Sequence, residues 1–317
     1  MTAAPAQGHE EKAVLEVVSV SLGSSRRDHV VELSAGGRRF RLSRVGTDGD
    51  IDAAAERVRA LDGKVAAIGL GGIDIYLEAA GTRYEVRDGV RLRDSARLTP
   101  VVDGSGVKAT LERRAVEQLA KAGVVGRDTP VLLVSALDRF GMAEAFSAAG
   151  CRLRCGDLMF TAGIPYPIES LEELADVARR VLPQVSKLPF GMLYPTGREQ
   201  DKAPDARFQS AYDEAEVVAG DFHFIRRYMP ERLDGKTVVT NTTTADDVKD
   251  LKARGVRRLV TTTPDMAGRS FGTNVVEAMA VAYLGRGREA VGNEALESAL
   301  GRLGVAPQSR MLAEVGA

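Results

Sequence analysis

Three groups of side chains in this sequence are equipped for chemistry, and each stands at a glycine-bearing turn. The first is Asp103-Gly104-Ser105-Gly106-Val107-Lys108. A carboxylate and an amine at this spacing can exchange a proton once burial has lowered the lysine pKa. The same residues also make an ordinary interdomain turn with a solvated lysine. The second is Gly220-Asp221-Phe222-His223, followed by Arg226-Arg227. His223 can serve as a general acid–base beside Asp221, or be packed for structural reasons alone. The third is Gly268-Arg269-Ser270-Phe271-Gly272-Thr273-Asn274, which leads into an apolar helical stretch. A loop entering a helix offers N–H groups and the positive end of the macrodipole, so Arg269, Ser270, Thr273 and Asn274 suit a phosphate or carboxylate. No Gly-Lys-Ser/Thr spacing of a P-loop accompanies it, and a plain helix entry with a surface arginine fits equally well.

These groups need elements to hold them. After residue 106 short apolar strands alternate with helices: Val131–Ser135, Arg152–Cys155, Phe190–Leu193, Glu216–Ala219, Thr237–Thr240 and Arg258–Thr261 are separated by helices such as Met142–Ala149, Leu171–Leu182, Asp246–Arg254 and Thr273–Leu284. That alternation predicts a doubly wound parallel sheet, whose ligands bind beyond the carboxyl ends of its strands. The tips there are Ser135 to Gly141, Gly156-Asp157, Tyr194-Pro195-Thr196-Gly197, Gly220 to His223, Thr240 to Thr244, and Thr261 to Pro264. Helix capping explains part of this polarity, but threonine runs at two tips exceed what caps require. A ligand cleft is therefore expected, with Ser135, Asp138, Gly141, Asp157, Thr240, Asn241, Thr242, Thr261, Thr262 and Thr263 as the cofactor-binding set. In a dinucleotide fingerprint Ala136, Asp138 and Gly141 would occupy the glycine positions, so only the last glycine is retained. Asp157 falls where a ribose-binding acid is expected, or caps a turn.

The half before residue 106 is strand-rich. Residues 13–21, 29–33 and 38–42 read as strands, the last two joined at Gly36-Gly37. A helix capped by Asp50 or Asp52 ends at Gly63, and Val65–Leu70 is a buried strand. Gly69 to Asp74, a donor-rich turn with an acid, follows it. Ser24-Ser25-Arg26-Arg27 makes a compact anion-attracting turn or a merely exposed one, and Thr47 to Asp50 needs no metal. The expected fold is thus α/β: a strand-rich α/β amino-terminal domain (residues 13–106) and a Rossmann-like doubly wound parallel-sheet domain (107–290). A polar arm (1–12) precedes them, and a helix and tail (291–317) follow.

Composition narrows the function. The chain has 317 residues, 44% hydrophobic and 27% charged, with 43 Lys plus Arg against 44 Asp plus Glu. This balance gives no global field for nucleic acid or an anionic membrane. No apolar run approaches the ~20 residues that span a bilayer, and the start lacks an apolar signal core. Cys151 and Cys155 are too few for a disulfide framework or a zinc site, so they read as core residues in a reducing cytoplasm, and no metal is expected. The expected partner is a small molecule, with neither nucleic acid nor membrane, and a homodimer stays open.

Leu137 to Met142, Gly156 to Phe160 and Gly268 to Asn274 resemble bacterial proteins labelled quinate/shikimate 5-dehydrogenase-like, over about Val18 to Leu284. The resemblance implies a two-domain, NAD- or NADP-dependent oxidoreductase that acts on a small alicyclic hydroxyl through a Lys–Asp pair. Lys108 matches that lysine in residue type only, because the Asn-x-Thr-x-Pro-x-Lys setting is absent. Two other readings stand beside it. One is a non-enzymatic small-molecule-binding or sensor protein. The other is an actin- or RNase H-like, ATP-using phosphotransferase with phosphate turns at Leu22 to Ser25 and Asp103 to Gly106.

Overall fold

The structure is a computed structural model that describes residues 13–193, 208–266, 269–287 and 291–313; the side chains of 193, 265, 266, 269 and 270 lie outside that description. The expected arm at 1–12 and the tip at Tyr194 to Gly197 also fall outside it.

The first sheet comes from β1 (Leu15–Ser21), β2 (His29–Ala35), β3 (Arg38–Gly46), β4 (Ala67–Gly71) and β7 (Val101–Val102), with α1 (Ile51–Leu61) before β4. A hairpin, β5 (Tyr76–Ala79) and β6 (Thr82–Glu85), and α2 (Arg87–Arg93) lie between β4 and β7. The order is β2-β3-β1-β4-β7, with β1 parallel to both β3 and β4. Gly36 and Gly37 both take positive φ, which closes the β2–β3 hairpin. Asp50, rather than Asp52, caps α1 by accepting from Asp52 N and Ala53 N, both at 2.9 Å. Alternate residues pack opposite faces: Val18, Val20, Ile68 and Leu70 against α1, and Val17, Phe40, Leu42 and Ala67 against a second layer.

That second layer comes from the far end of the chain. The alternation assigns the helix α11 (Thr273–Leu284) to the second domain. Instead its apolar residues Val275, Val276 and 278–282 cover the first sheet, because a face bearing Phe40 and Leu42 has no helix of its own to bury it.

A 17-residue helix, α3 (Ser105–Lys121), joins the domains. Val107 and Leu111 belong to the core under the first sheet, whereas Ala115, Val116 and Leu119 belong to the core of the second. The second domain runs β8 (Pro130–Leu133), α4 (Phe140–Ala148), β9 (Arg152–Cys155), α5 (Asp157–Phe160), α6 (Leu171–Val185), α7 (Phe190–Leu193), α8 (Gln209–Glu214), β10 (Val217–Ala219), α9 (Phe222–Tyr228), β11 (Thr237–Thr240), α10 (Ala245–Ala253) and β12 (Arg258–Thr261). A small hairpin, β13 (Asp265–Met266) and β14 (Arg269–Ser270), leads to α11 (Thr273–Leu284), α12 (Asn293–Arg302) and β15 (Gln308–Met311). The sheet order is β15-β12-β11-β10-β8-β9, parallel except for β15. Chain order reverses between β8 and β10, and that is the switch point at which a doubly wound sheet opens a crevice. Val131 and Leu133 face the α4–α6 side and Leu132 and Val134 the α8–α10 side, so the sheet is buried on both faces.

Two expectations are corrected. Phe190–Leu193 is the short helix α7, not a strand: Phe190 leaves the second sheet and packs in the first domain, where its N–H donates to Asp88 at 2.8 Å. The tail, to which no strand is assigned from the sequence, also supplies β15, an antiparallel neighbour of β12. No helix among the described residues is long and apolar enough to cross a membrane.

Candidate functional site at the domain switch point

The tips of β8, β10 and β11 do converge. The Ser135 hydroxyl accepts from Asp221 N at 3.3 Å, and Asn241 donates through Nδ2 to Asp221 Oδ2 at 2.9 Å. Thr240 donates to the Gly220 carbonyl at 2.8 Å, and Thr263 to the Asn241 carbonyl at 3.0 Å. These hydroxyls are spent holding the tips together. Thr261, Thr262 and Thr263 are buried, as is Thr240, so these four side chains are enclosed beneath the strand tips and not presented at the surface. Thr242 is half-buried, while Thr244 closes a capping box with Asp247 at the head of α10.

Beneath the rim runs a buried ionic chain. Arg139, 4% exposed, binds Glu112 of α3, 1% exposed, and reaches Asp221 at 3.2 Å. Burial opposes the Arg139 charge, but Glu112 and Asp221 outweigh it and carry its pKa upward. Burial likewise works against the Asp221 carboxylate, yet Arg139 and His223 bring its pKa below the usual range. Asp221 caps α9 through His223 N at 2.9 Å, and the His223 ring is exposed at the helix start. The site residues expected from the sequence include Asp138 but not its neighbour Arg139, nor Glu112 or Asp74. Glu112 was nonetheless legible, since it lies on the same helical stripe as Ala115, Val116 and Leu119.

At the open end of this chain Lys108 bridges the domains. Its Nζ is bonded to Asp138 Oδ1 at the tip following β8 and lies 4.0 Å from Asp74 Oδ1, beyond the end of β4. Their side chains are 14%, 35% and 20% exposed for Lys108, Asp138 and Asp74. Burial works to lower the Lys108 pKa, but Asp138 and Asp74 overcome it and the net shift is upward. Lys108 is therefore held as an ammonium ion. The base expected from burial is not found.

Asp103, the expected partner of Lys108, faces elsewhere. Its carboxylate accepts from Ile75 N, from Tyr76 N at 3.1 Å and from Ser105 N at 2.9 Å. Asp157 is committed in the same way, accepting from Ala136 N and Leu137 N, both at 2.9 Å; burial lifts its pKa to about 6. Gly141 fits the crossing of α3 and α4, where an added Cβ would lie 3.0 Å from that of Ala109. Residues 135–141 thus do not fit the pyrophosphate of a dinucleotide: the N–H groups of Ala136 and Leu137 serve Asp157, and Asp138 adds a second carboxylate. The Ser24-Ser25 turn is closed similarly, because Ser25 N and Oγ both donate to Asp48.

The expected anion loop packs on the first domain. Asn274 is buried and donates to Ser19 Oγ at 2.8 Å, and Thr273 abuts Gly104. The side chains of Arg269 and Ser270 lie outside the described residues. Cys155 is buried and Cys151 half-buried, and no group of three or more metal-ligating residues occurs among the described residues. Two surface depressions, of about 160 and 320 Å³, lie at the opposite edge, by the amino ends of the second sheet's strands.

Residues 106–312 match the family model described as "Domain of unknown function (DUF8754)", and residues 16–103 match "Domain of unknown function (DUF8753)". No curated protein is matched. Among solved structures, a protein from Mycobacterium smegmatis is 13% identical, with 95% of this chain and 92% of that one covered at a TM-score of 0.36. A galactofuranose binding protein is 12% identical (92% and 98% covered, TM-score 0.35). Shikimate 5-dehydrogenase from Thermus thermophilus, in complex with NADP(H) and shikimate, is 13% identical (91% and 99% covered, TM-score 0.35).

Proposed function

We propose, for a chain that belongs to the DUF8754 family of domains of unknown function, that the switch-point cleft binds a small, neutral, hydroxyl-rich molecule. The observation that carries this reading is the partly exposed Lys108–Asp138 pair, which joins the domains with Asp74 alongside. A carboxylate beside an ammonium offers an acceptor and a donor to neighbouring hydroxyls. Phosphorylated ligands are disfavoured at the Ser24-Ser25, Gly104-Ser105 and Ala136-Leu137 turns, where Asp48, Asp103 and Asp157 place a carboxylate on the N–H groups of Ser25, Ser105, Ala136 and Leu137. Arg139 supplies no free positive charge either, being bound to Glu112 and Asp221.

Calorimetric titration of the whole chain with polyols and sugars tests the idea. Saturable binding is expected, weakened about 10- to 100-fold in Asp138→Asn, the loss of a charge-assisted hydrogen bond worth ~1.5–3 kcal/mol. Saturable binding of ATP or NADP(H) with no response to any polyol would overturn it.

The Lys–Asp pair also favours a second reading, an oxidoreductase acting on a small hydroxylated compound. Its dinucleotide would have to avoid the 135–141 turn. NAD(H) and NADP(H) in the same titrations separate the two, since only the second reading expects a response to either.

A further inference from the structure

Glu277 lies within α11 with its side chain buried against the start of α3. Its Oε2 accepts from Gly106 N at 3.2 Å, and a Cβ on Gly106 would come within 2.5 Å of its Oε1. Asp103, also buried, caps the same turn through Ser105 N. Two carboxyl groups thus share one helix end, whose macrodipole offers only about half a positive charge. The charged groups acting on Glu277 are Asp103, from the turn after β7, and Arg83, from β6. Arg83 is half-exposed, paired with Glu78 and stacked over Tyr76 at 4.8 Å, so it offsets little. On the α12 side the neighbour at Gly106 is the apolar Leu296. Burial, reinforced by Asp103, lifts the Glu277 pKa to about 8.

The first turn of α3 sets the position of Lys108, whose N–H closes on the Gly104 carbonyl at 2.9 Å. We propose that Glu277 is a proton-dependent positioning residue for Lys108. With its proton in place, Asp103 and Glu277 clamp the first turn of α3 together. When the proton is lost, repulsion between the two carboxylates loosens that turn, and with it the contact between Lys108 and Asp138. This holds whatever ligand the cleft takes.

Hydrogen–deuterium exchange on the whole chain at about pH 6.5 and about pH 9, corrected for intrinsic rates, reads the device directly. The amides of residues 104–108 should lose roughly 10-fold or more of their protection at the higher pH in the native protein, and none in Glu277→Gln, which stays neutral. Equal protection of the native protein at both pH values overturns the proposal, as does the same loss in the variant. If Glu277→Gln does not fold, a carboxyl ¹³C titration of the native protein decides: a Glu277 midpoint near 8 is required, and one below about 6 rejects it.

Discussion

Asp48, Asp103 and Asp157 share one habit: each turns its carboxylate onto backbone N–H of a loop otherwise open to an anion. In Asp157 the two carboxylate oxygens serve two consecutive N–H groups, so removing them strands both donors. Asp157→Ala should cost about 2–4 kcal/mol in urea denaturation, because an unsatisfied buried donor forfeits ~1–3 kcal/mol. A loss below about 0.5 kcal/mol would show that water replaces the carboxylate there. Arg139 presents the charged counterpart. Arg139→Met leaves Glu112 and Asp221 facing each other without a cation, and stability should fall by ~3–5 kcal/mol. A double-mutant cycle with Glu112→Gln should return a coupling of at least ~1 kcal/mol, and additivity would mean that the pair does not interact.

Between elements, small residues set how closely α11 approaches the first sheet. Gly69 of β4 lies so near the head of α11 that a Cβ there would stand 2.6 Å from the Asn274 carbonyl oxygen. Backbone cannot step aside as a side-chain tip can, so Gly69→Ala should destabilise by ~1–3 kcal/mol. Gly81→Ala is no fair control, since its φ of 72° strains any side chain. Gly301→Ala, in α12 with no heavy atom near its new Cβ, should be neutral or stabilising by up to ~1 kcal/mol. Thermal midpoints of the two variants check this; a harmless Gly69→Ala would mean that α11 does not sit where described. The alternation of β8 to β12 with helices was readable because parallel strands buried on both faces need continuous apolar runs. The length and spacing of Phe190–Leu193 imitate such a strand, but Phe190 is drawn to the first domain's core, and no local signal marks that choice.

At the scale of the molecule, protonation and folding are linked through buried acids. Burial raises Asp157 from 3.8 to about 6 and Glu277 from 4.5 to about 8. An acid whose folded pKa is raised keeps its proton longer in the folded chain than in the unfolded one. Its contribution is therefore complete below the unfolded pKa and is lost as pH rises through the folded value. Stability should decline from about pH 5 to about pH 8, by no more than ~1.4 kcal/mol per pH unit for each group. Urea midpoints across that range check the sign: a decline in the native protein should flatten in Asp157→Asn/Glu277→Gln. A native stability that climbs steadily to pH 8 would contradict the assigned burial of both acids.

Apart from Phe190–Leu193, the docking of α11 and the added β15, the order of strands and helices in the second domain follows from the sequence, as do the β2–β3 hairpin and the polar strand tips, because periodicity, turn residues and caps are local properties. Which polar groups meet is not local. Lys108 could be read as a candidate, but not its partner: Asp138 lies 30 residues away on another element, and only the packing of α3 between the two cores brings them together. The same packing turned Asp103 and Asp157 toward backbone N–H groups and enclosed Thr240 and Thr261 to Thr263. Burial and pairing decide whether a polar residue is structural support or an accessible site, and both arise only once distant segments have docked.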